Sequence, residues 1–171
     1  RKTLFEKTAF ENISFEEFPR ARKSYLVRLY YEYFYFNKLA KIIEPDFWFS
    51  LHDITPNIGS TPQAVYCHNP SPFNAYNLRD IYIQPTQFIF RLVYKYFYMI
   101  NLNKNKYIVV QQLWLKRKFE SEFGINKDKI VISRPLVPEV PLEFLVPESN
   151  SRKVSFFYPT YPRPFKNIEV L

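Results

Sequence analysis

The chain of 171 residues contains only two glycines, Gly59 and Gly124, and this scarcity bears on nucleotide binding. The dinucleotide-binding G-x-G-x-x-G motif and the P-loop both need glycines, because there the backbone must approach phosphate closely. Neither motif is present in the sequence. The sequence therefore strongly disfavours a Rossmann dehydrogenase and a P-loop NTPase.

Cysteine and histidine are equally scarce, with Cys67, His52 and His68 as the whole supply. One cysteine cannot form an internal disulfide or a multi-cysteine zinc cluster, and it fits a reducing compartment, so we expect a cytoplasmic protein. Cys67 ends a predicted strand, which favours a buried structural thiol over a nucleophile. Two histidines are too few for a typical catalytic zinc site unless carboxylates complete it, so we expect no metal and no other cofactor.

Long apolar runs and an initiator methionine are also missing. The most apolar run, 88–100, is broken by Arg91 and Lys95 well short of the about 20 residues that cross a bilayer. We therefore expect a soluble or peripheral protein. The chain begins with Arg1 and has no signal-peptide pattern, so we expect further sequence upstream.

Apolar surface and positive charge are abundant instead. Hydrophobic residues make up 47% of the chain and aromatic residues 20%, which predicts a folded core rather than a disordered chain. The net charge is +8, and the segment 91–134 holds ten Lys or Arg against three Asp or Glu. Such a segment suits an anionic partner such as nucleic acid, a phosphorylated acceptor or anionic lipid, the last through peripheral contact with the inner face of a membrane. A solvated helix face explains the charge equally well.

The spacing of apolar residues predicts helices that alternate with strands. Apolar residues three and four apart predict helices at 24–43, 85–100 and 113–123. Short apolar runs predict strands at 46–51, 63–68, 107–111 and 130–133. This order predicts an α/β fold, a Rossmann-like parallel sheet with helices on both faces. The residues that we expect to be buried in its strands are Phe47, Phe49, Val65, Ile108 and Val110.

A proline-rich segment divides the chain. Residues 135–151 contain four prolines, a composition that favours an extended connection over a packed helix. We predict a first Rossmann-like domain over 1–134, whose N-terminal part is missing, and an interdomain linker over 135–151. The residues 152–171 would then begin a second Rossmann-like domain.

His52 and His68 occupy equivalent positions in this pattern, since each follows an apolar strand and precedes a turn-rich loop. Open parallel sheets form their ligand crevice at the carboxyl ends of the strands, so the position favours a functional role. The alternative is a hydrogen-bonded structural histidine. From position alone, a functional and a structural role are equally supported for His68, whereas the structural role is favoured for His52.

Four stretches of the chain resemble family 4 glycosyltransferases, which have the two-Rossmann GT-B architecture. The run 107–135 reads YIVVQQLWLKRKFESEFGINKDKIVISRP and is similar to the end of the acceptor-side domain in that family. The other stretches are DFWFSLHDITPN at 46–57, VYCHNPSPF at 65–73 and FFYPTYPRPFKNIEVL at 156–171. Together they resemble a bacterial subgroup that makes surface polysaccharides, and the resemblance covers residues 24–171.

The resemblance implies a hexosyltransferase-type enzyme. It would move a sugar from a nucleotide-sugar donor to a hydroxyl on a glycan or lipid-linked acceptor, with retention and without a required metal, in polysaccharide or lipopolysaccharide assembly. The family's glycine-rich loop would lie upstream of Arg1, and its paired glutamates beyond Leu171. Because catalysis needs groups on both sides of a closed cleft, we expect the 171-residue chain alone to be inactive.

The same resemblance implies roles for five residues. His68 is similar to the histidine that many members place in the interdomain cleft near the reacting sugar, which makes it the candidate catalytic residue. His52 and Asn69 would lie on the acceptor side of that cleft. Lys166 matches the lysine that contacts the donor diphosphate, and Arg163 lies near, though not at, the spacing of its arginine partner. Such cations would stabilise the charge on the departing nucleoside diphosphate.

The main alternative is a non-enzymatic module that binds RNA or single-stranded DNA through basic and aromatic residues. The 14 tyrosines and 18 phenylalanines mostly follow core spacing, and no RNA-binding motif is present. We therefore expect no nucleic-acid partner. A sugar-binding or scaffold protein that kept the fold without the chemistry also fits the sequence.

Overall fold

The computed structural model describes residues 13–73, 81–82, 85–136 and 159. The chain divides into two compact units, Arg1–Pro135 and Leu136–Leu171. Only Leu136 and Pro159 of the second unit are described. The greater part of the predicted linker, and the predicted second domain with Lys166 and Arg163, therefore lie outside the described residues.

The first unit is built on a parallel β-sheet of four strands, in the order β1-β2-β3-β4. The strands are β1 (Trp48–Ser50), β2 (Gln63–Cys67), β3 (Tyr107–Val110) and β4 (Ile130–Ile132). All three pairings are parallel, and Ser50, Val65, Ile108 and Ile130 lie opposite one another across the sheet. Each strand falls within the apolar run that predicted it. The predicted α/β fold with a parallel sheet flanked by helices is confirmed.

The helices also lie within the predicted ranges. They are α1 (Tyr25–Tyr30), a π-helical segment (Tyr31–Tyr35), α2 (Phe36–Ile43), α3 (Pro85–Met99) and α4 (Leu113–Phe123). The first three follow one another without a break. After α4, Gly124 has a φ of 65° and its N–H donates to the Glu120 carbonyl at 3.1 Å. Glycine adopts this left-handed conformation without a Cβ clash, which is why α4 ends where the sequence predicts.

The hydrophobic core lies against one face of the sheet. Val65, Ile108 and Val110 are completely buried there, as predicted. The helices α3 and α4 supply Tyr98 and Phe119, which are also completely buried and whose ring centroids lie 5.6 Å apart. No helix in the described part of the chain is long and apolar enough to span a bilayer.

The predicted burial of Phe47 and Phe49 is wrong, because these side chains are 46% and 51% exposed. Successive side chains of a strand point to opposite faces, so Phe49 lies on the face opposite the one that carries Val65. Tyr107 and Val131 lie on the same face as Phe49 and are 41% and 42% exposed. The apolar run at 46–51 identified a strand but not its burial.

The apolar residues that predicted the helix at 24–43 are largely exposed as well. Leu26, Phe34 and Ile42 lie on the outside, whereas the buried residues of this helix are Glu32 and Ala40. In α3, too, the buried side chains differ from those that the apolar spacing indicates. Ile89, Leu92, Val93 and Tyr96, whose helical spacing helps to predict this helix, are exposed, and Tyr94 and Tyr98 are buried instead.

Candidate functional site

Polar side chains follow three neighbouring strands at the carboxyl edge of the sheet. His52 and Asp53 follow β1, His68 and Asn69 follow β2, and Gln111 follows β3. Because the strands are parallel, these residues share the edge at which open α/β sheets bind ligands. The three predicted site residues of the first unit, His52, His68 and Asn69, are thus brought to one edge.

Asp53 makes hydrogen bonds that connect the parts of this edge, although the sequence pattern does not single it out. Its side chain is only 7% exposed. The Oδ1 atom accepts hydrogen bonds from the backbone N–H groups of His68 at 2.7 Å and Asn69 at 3.1 Å, and from the Tyr98 hydroxyl at 2.9 Å. One carboxylate oxygen therefore joins the turn after β1, the turn after β2 and the helix α3.

The backbone of Asp53 also adopts a conformation that few residue types accept. Its φ is 65°, a left-handed conformation that Asp and Asn adopt more readily than other residues with a Cβ. Its N–H donates to the Tyr66 carbonyl at 3.1 Å, and its own carbonyl accepts a weak hydrogen bond from the Cys67 thiol at 3.7 Å. Burial raises the pKa of Cys67 well above its ordinary value, which agrees with a structural thiol.

The His68 ring is held from one side and open on the other. Its Nδ1 lies 3.3 Å from Asp53 Oδ1, and the ring stacks on Tyr66 with centroids 5.6 Å apart. The side chain is nevertheless 48% exposed. The contact with Asp53 and the stacking on Tyr66 restrict the orientation of the ring, and the exposed part of the side chain remains for a ligand.

Asn69 contributes mainly through hydrogen bonds that shape the turn after β2. Its Oδ1 accepts from the Ser71 N–H at 3.0 Å, and its backbone carbonyl lies 3.0 Å from the Tyr98 hydroxyl. Burial raises the pKa of Tyr98 far above its ordinary value, so this hydroxyl stays protonated and can donate its one proton to Asp53 or to Asn69. Asn69 therefore helps to position His68.

His52 lies beside this network and lines a cavity of about 560 Å³. Lys23, Arg28 and Glu32 line the same cavity. The Arg28 guanidinium donates to the His52 carbonyl at 3.4 Å and so connects α1 to the turn after β1. Burial and the Arg28 charge lower the pKa of His52 from its ordinary value, an effect that the Asp53 carboxylate opposes. His52 is therefore mainly neutral at pH 7.

Glu32 is the unusual residue of this cavity. It is only 6% exposed, and burial raises its pKa to about 7 despite the nearby Arg28. It lies in the π-helical segment, a rare geometry that is frequent at functional sites, and its backbone carbonyl accepts from the Asn57 N–H at 2.9 Å. A carboxyl group with this pKa can exchange a proton near neutral pH, which is typical of active-site residues. From sequence alone, the i, i+4 spacing of Arg28 and Glu32 indicates only a pair that stabilises the helix.

Replacing Glu32 by glutamine is expected to change how stability depends on pH. Between pH 4.5 and 7 the folded protein holds a proton on Glu32 that the unfolded chain has lost, so stability falls as the pH rises and is level above 7. This loss is at most about 3 kcal/mol, and Glu32→Gln should remove it. The charged and titratable neighbours Lys23, Arg28 and His52 remain in both proteins. The measurement is the difference in the free energy of unfolding between the two proteins at pH 4.5 and pH 8.

Glu122 provides a control, because its contribution to stability depends on pH in the opposite direction. Hydrogen bonds from Lys95 and Lys118 lower the pKa of Glu122, so it stabilises the fold above its unfolded pKa and loses this effect as the pH falls. Glu122→Gln should therefore weaken the protein at pH 8 relative to low pH. An unchanged pH dependence in Glu32→Gln would contradict the interpretation of Glu32.

The basic segment 91–134 is spread over several elements. Lys95 and Lys118 both pair with Glu122, at 2.6 and 2.9 Å. Lys116 donates to the carbonyls of Lys127 and Ile130. The lysines that precede β3 and β4 lie at the amino edge of the sheet, opposite the edge that carries His68; they are Lys104, Lys106, Lys127 and Lys129. Contact of this segment with an anionic membrane stays a prediction.

Within residues 13–73, 81–82, 85–136 and 159, no three His, Cys, Asp or Glu side chains are grouped closely enough to hold a metal ion. The predicted donor-binding residues Lys166 and Arg163 lie outside these ranges. Comparisons of the chain with models of protein families, with curated proteins and with solved structures find no match.

Proposed function

We propose that this chain is the acceptor-side part of a glycosyltransferase that moves a sugar from a nucleotide-sugar donor to a hydroxyl acceptor. The observation that supports it best is the half-exposed His68 ring, held by Asp53 at the carboxyl edge of a parallel sheet. The two stretches that form this edge, 46–57 and 65–73, are also stretches that resemble family 4 glycosyltransferases.

In this proposal His68 stands beside the reacting sugar. Its Nε2 would make a directional hydrogen bond to a sugar hydroxyl, while Asp53 keeps the ring from turning. A bond that is best formed in the transition state accelerates the reaction more than it strengthens ground-state binding. The donor-binding roles that the resemblance implies for Lys166 and Arg163 stay predictions, because both residues lie outside the described part of the chain.

Replacing His68 by alanine in the complete protein is expected to lower turnover at least about tenfold, or about 1.4 kcal/mol, with a smaller change in donor affinity. The assay is release of nucleoside diphosphate from a panel of uridine, guanosine and adenosine diphosphate sugars. Tyr96→Ala is a suitable control, because Tyr96 is an exposed aromatic residue on α3, outside the site.

Two results would contradict the proposal. The complete protein would release nucleoside diphosphate from none of the donors, or His68→Ala would fold normally and keep full turnover. The second result would leave His68 with a structural role only. Normal folding is checked by comparing the thermal unfolding of the variant with that of the unchanged protein.

A further inference from the structure

The cavity beside the carboxyl edge has largely aromatic walls. Phe18, Tyr25, Tyr31 and Phe36 line it, and its volume of about 560 Å³ lies within the range of small-molecule sites. The ring centroid of Phe18 lies 5.0 Å from that of Tyr31 and 5.5 Å from that of Phe36. Because these rings already pack on one another, this wall is preformed.

One polar group of the cavity, the Glu32 carboxylate, accepts fewer hydrogen bonds than it can. Glu32 is only 6% exposed, and the nearest cation, Arg28 Nε, lies 3.9 Å from its Oε1. That distance is too long for a hydrogen bond. Among the described residues, no other group bonds the Glu32 carboxylate, although an ionised carboxylate can accept about four hydrogen bonds. Because Glu32 lines the cavity, its free acceptor positions are available to a ligand that supplies donors.

These groups together define the chemistry of a ligand. It must offer hydroxyl donors to Glu32, acceptors to Arg28 and an apolar face to the aromatic rings. A pyranose ring meets all three requirements, since its hydroxyls project from its edge and its C–H groups form its faces. An anion beside Glu32 would be repelled by its carboxylate, whereas a neutral ligand would not.

We propose that this cavity binds a neutral pyranose. As the acceptor site of a transferase it rests on the function proposed above, whereas sugar binding itself does not. His52 links the two sites, because it lines the cavity and immediately precedes Asp53, which holds His68. A sugar in the cavity therefore lies next to the edge at which His68 is exposed.

The test uses the 171-residue chain at pH 8, where Glu32 is mostly ionised. The methyl pyranosides of glucose, galactose and mannose are titrated by calorimetry and by ligand-observed NMR, with inorganic phosphate as the anionic probe. At least one pyranoside should bind with a Kd in the millimolar range, near 1 mM or about −4 kcal/mol, and phosphate should not compete with it.

Two substitutions locate the binding. Tyr25→Ala should weaken it about fivefold, through the loss of an aromatic wall. Glu32→Gln should weaken it about tenfold, because a carboxylate accepts stronger hydrogen bonds than an amide. Tyr25 is 74% exposed, so its variant should keep the fold. Tyr96→Ala, which removes a 63% exposed tyrosine outside the cavity, should bind sugar as before.

The opposite results overturn the proposal. Preferential binding of phosphate would make the cavity an anion site of Lys23 and Arg28. Sugar binding that survives both substitutions would lie elsewhere on the protein, and an absence of binding to all three pyranosides would exclude this ligand class. If sugar binds as expected but the complete protein releases no nucleoside diphosphate, the cavity proposal stands and the transferase proposal fails.

Discussion

Replacing Phe119 by alanine is expected to lower the free energy of unfolding by about 4 kcal/mol. Phe119 is completely buried on α4. Its ring centroid lies 5.3 Å from that of Phe73, 5.2 Å from that of Phe123 and 5.6 Å from that of Tyr98. These neighbours are held by three different elements and by the sheet below, so they cannot close over the space that the ring leaves. The loss then combines the transfer energy of the phenyl group with the energy of a cavity.

Phe34→Ala provides the matched control. Phe34 is 65% exposed in the π-helical segment, although the sequence pattern places it on a core-facing side. Its replacement should cost less than about 1 kcal/mol. Urea unfolding followed by circular dichroism measures both variants. Equal losses for Phe34 and Phe119 would show that the core does not lie where the burial of these side chains places it.

The fold could be predicted from sequence because each element has a strong local signal. The β-branched run Ile108-Val109-Val110 and the apolar spacing before Gly124 define a strand and a helix without tertiary information. Four such strands separated by long connections then favour a parallel sheet. The end of α4 at Phe123 follows from the conformational freedom of Gly124.

The buried faces could not be predicted in the same way. A helix that is apolar around most of its circumference has no single apolar stripe, so its periodicity does not select the face that packs. In α3, Leu92 and Tyr96 form as good a stripe as Tyr94 and Tyr98, yet the second pair is buried. The hydroxyl of Tyr98 reaches Asp53, a tertiary contact that no local pattern contains.

Part of the candidate site could be predicted from local sequence features, and part of it could not. His52 and His68 could be placed at the sheet edge because each follows a strand, and strand ends are local features. Asp53 acts through partners 15, 16 and 45 residues away, which only the fold brings together. The role of Glu32 depends on burial, and a charged residue on a helix is normally expected to face solvent.

Replacing Asp53 by alanine is expected to lower the free energy of unfolding by about 4 kcal/mol, because it leaves two backbone donors without their acceptor and removes one of the two acceptors of the Tyr98 hydroxyl. The two backbone donors are the N–H groups of His68 and Asn69, whereas the Tyr98 hydroxyl keeps the Asn69 carbonyl as an acceptor. Each buried donor that loses its partner costs about 1–3 kcal/mol. Alanine also tolerates the φ of 65° at this position less well than aspartate does.

Two milder variants separate the contributions of this network. Asp53→Asn keeps one carbonyl acceptor and the tolerance for positive φ, so it should cost about 2 kcal/mol, chiefly through the loss of the charge. Tyr98→Phe removes a single donor and should cost about 1 kcal/mol. Urea unfolding should therefore rank the losses as Asp53→Ala, then Asp53→Asn, then Tyr98→Phe. If Asp53→Ala costs no more than Tyr98→Phe, the carboxylate does not hold the two turns together. His68 would then lack the support at Nδ1 on which its proposed role depends.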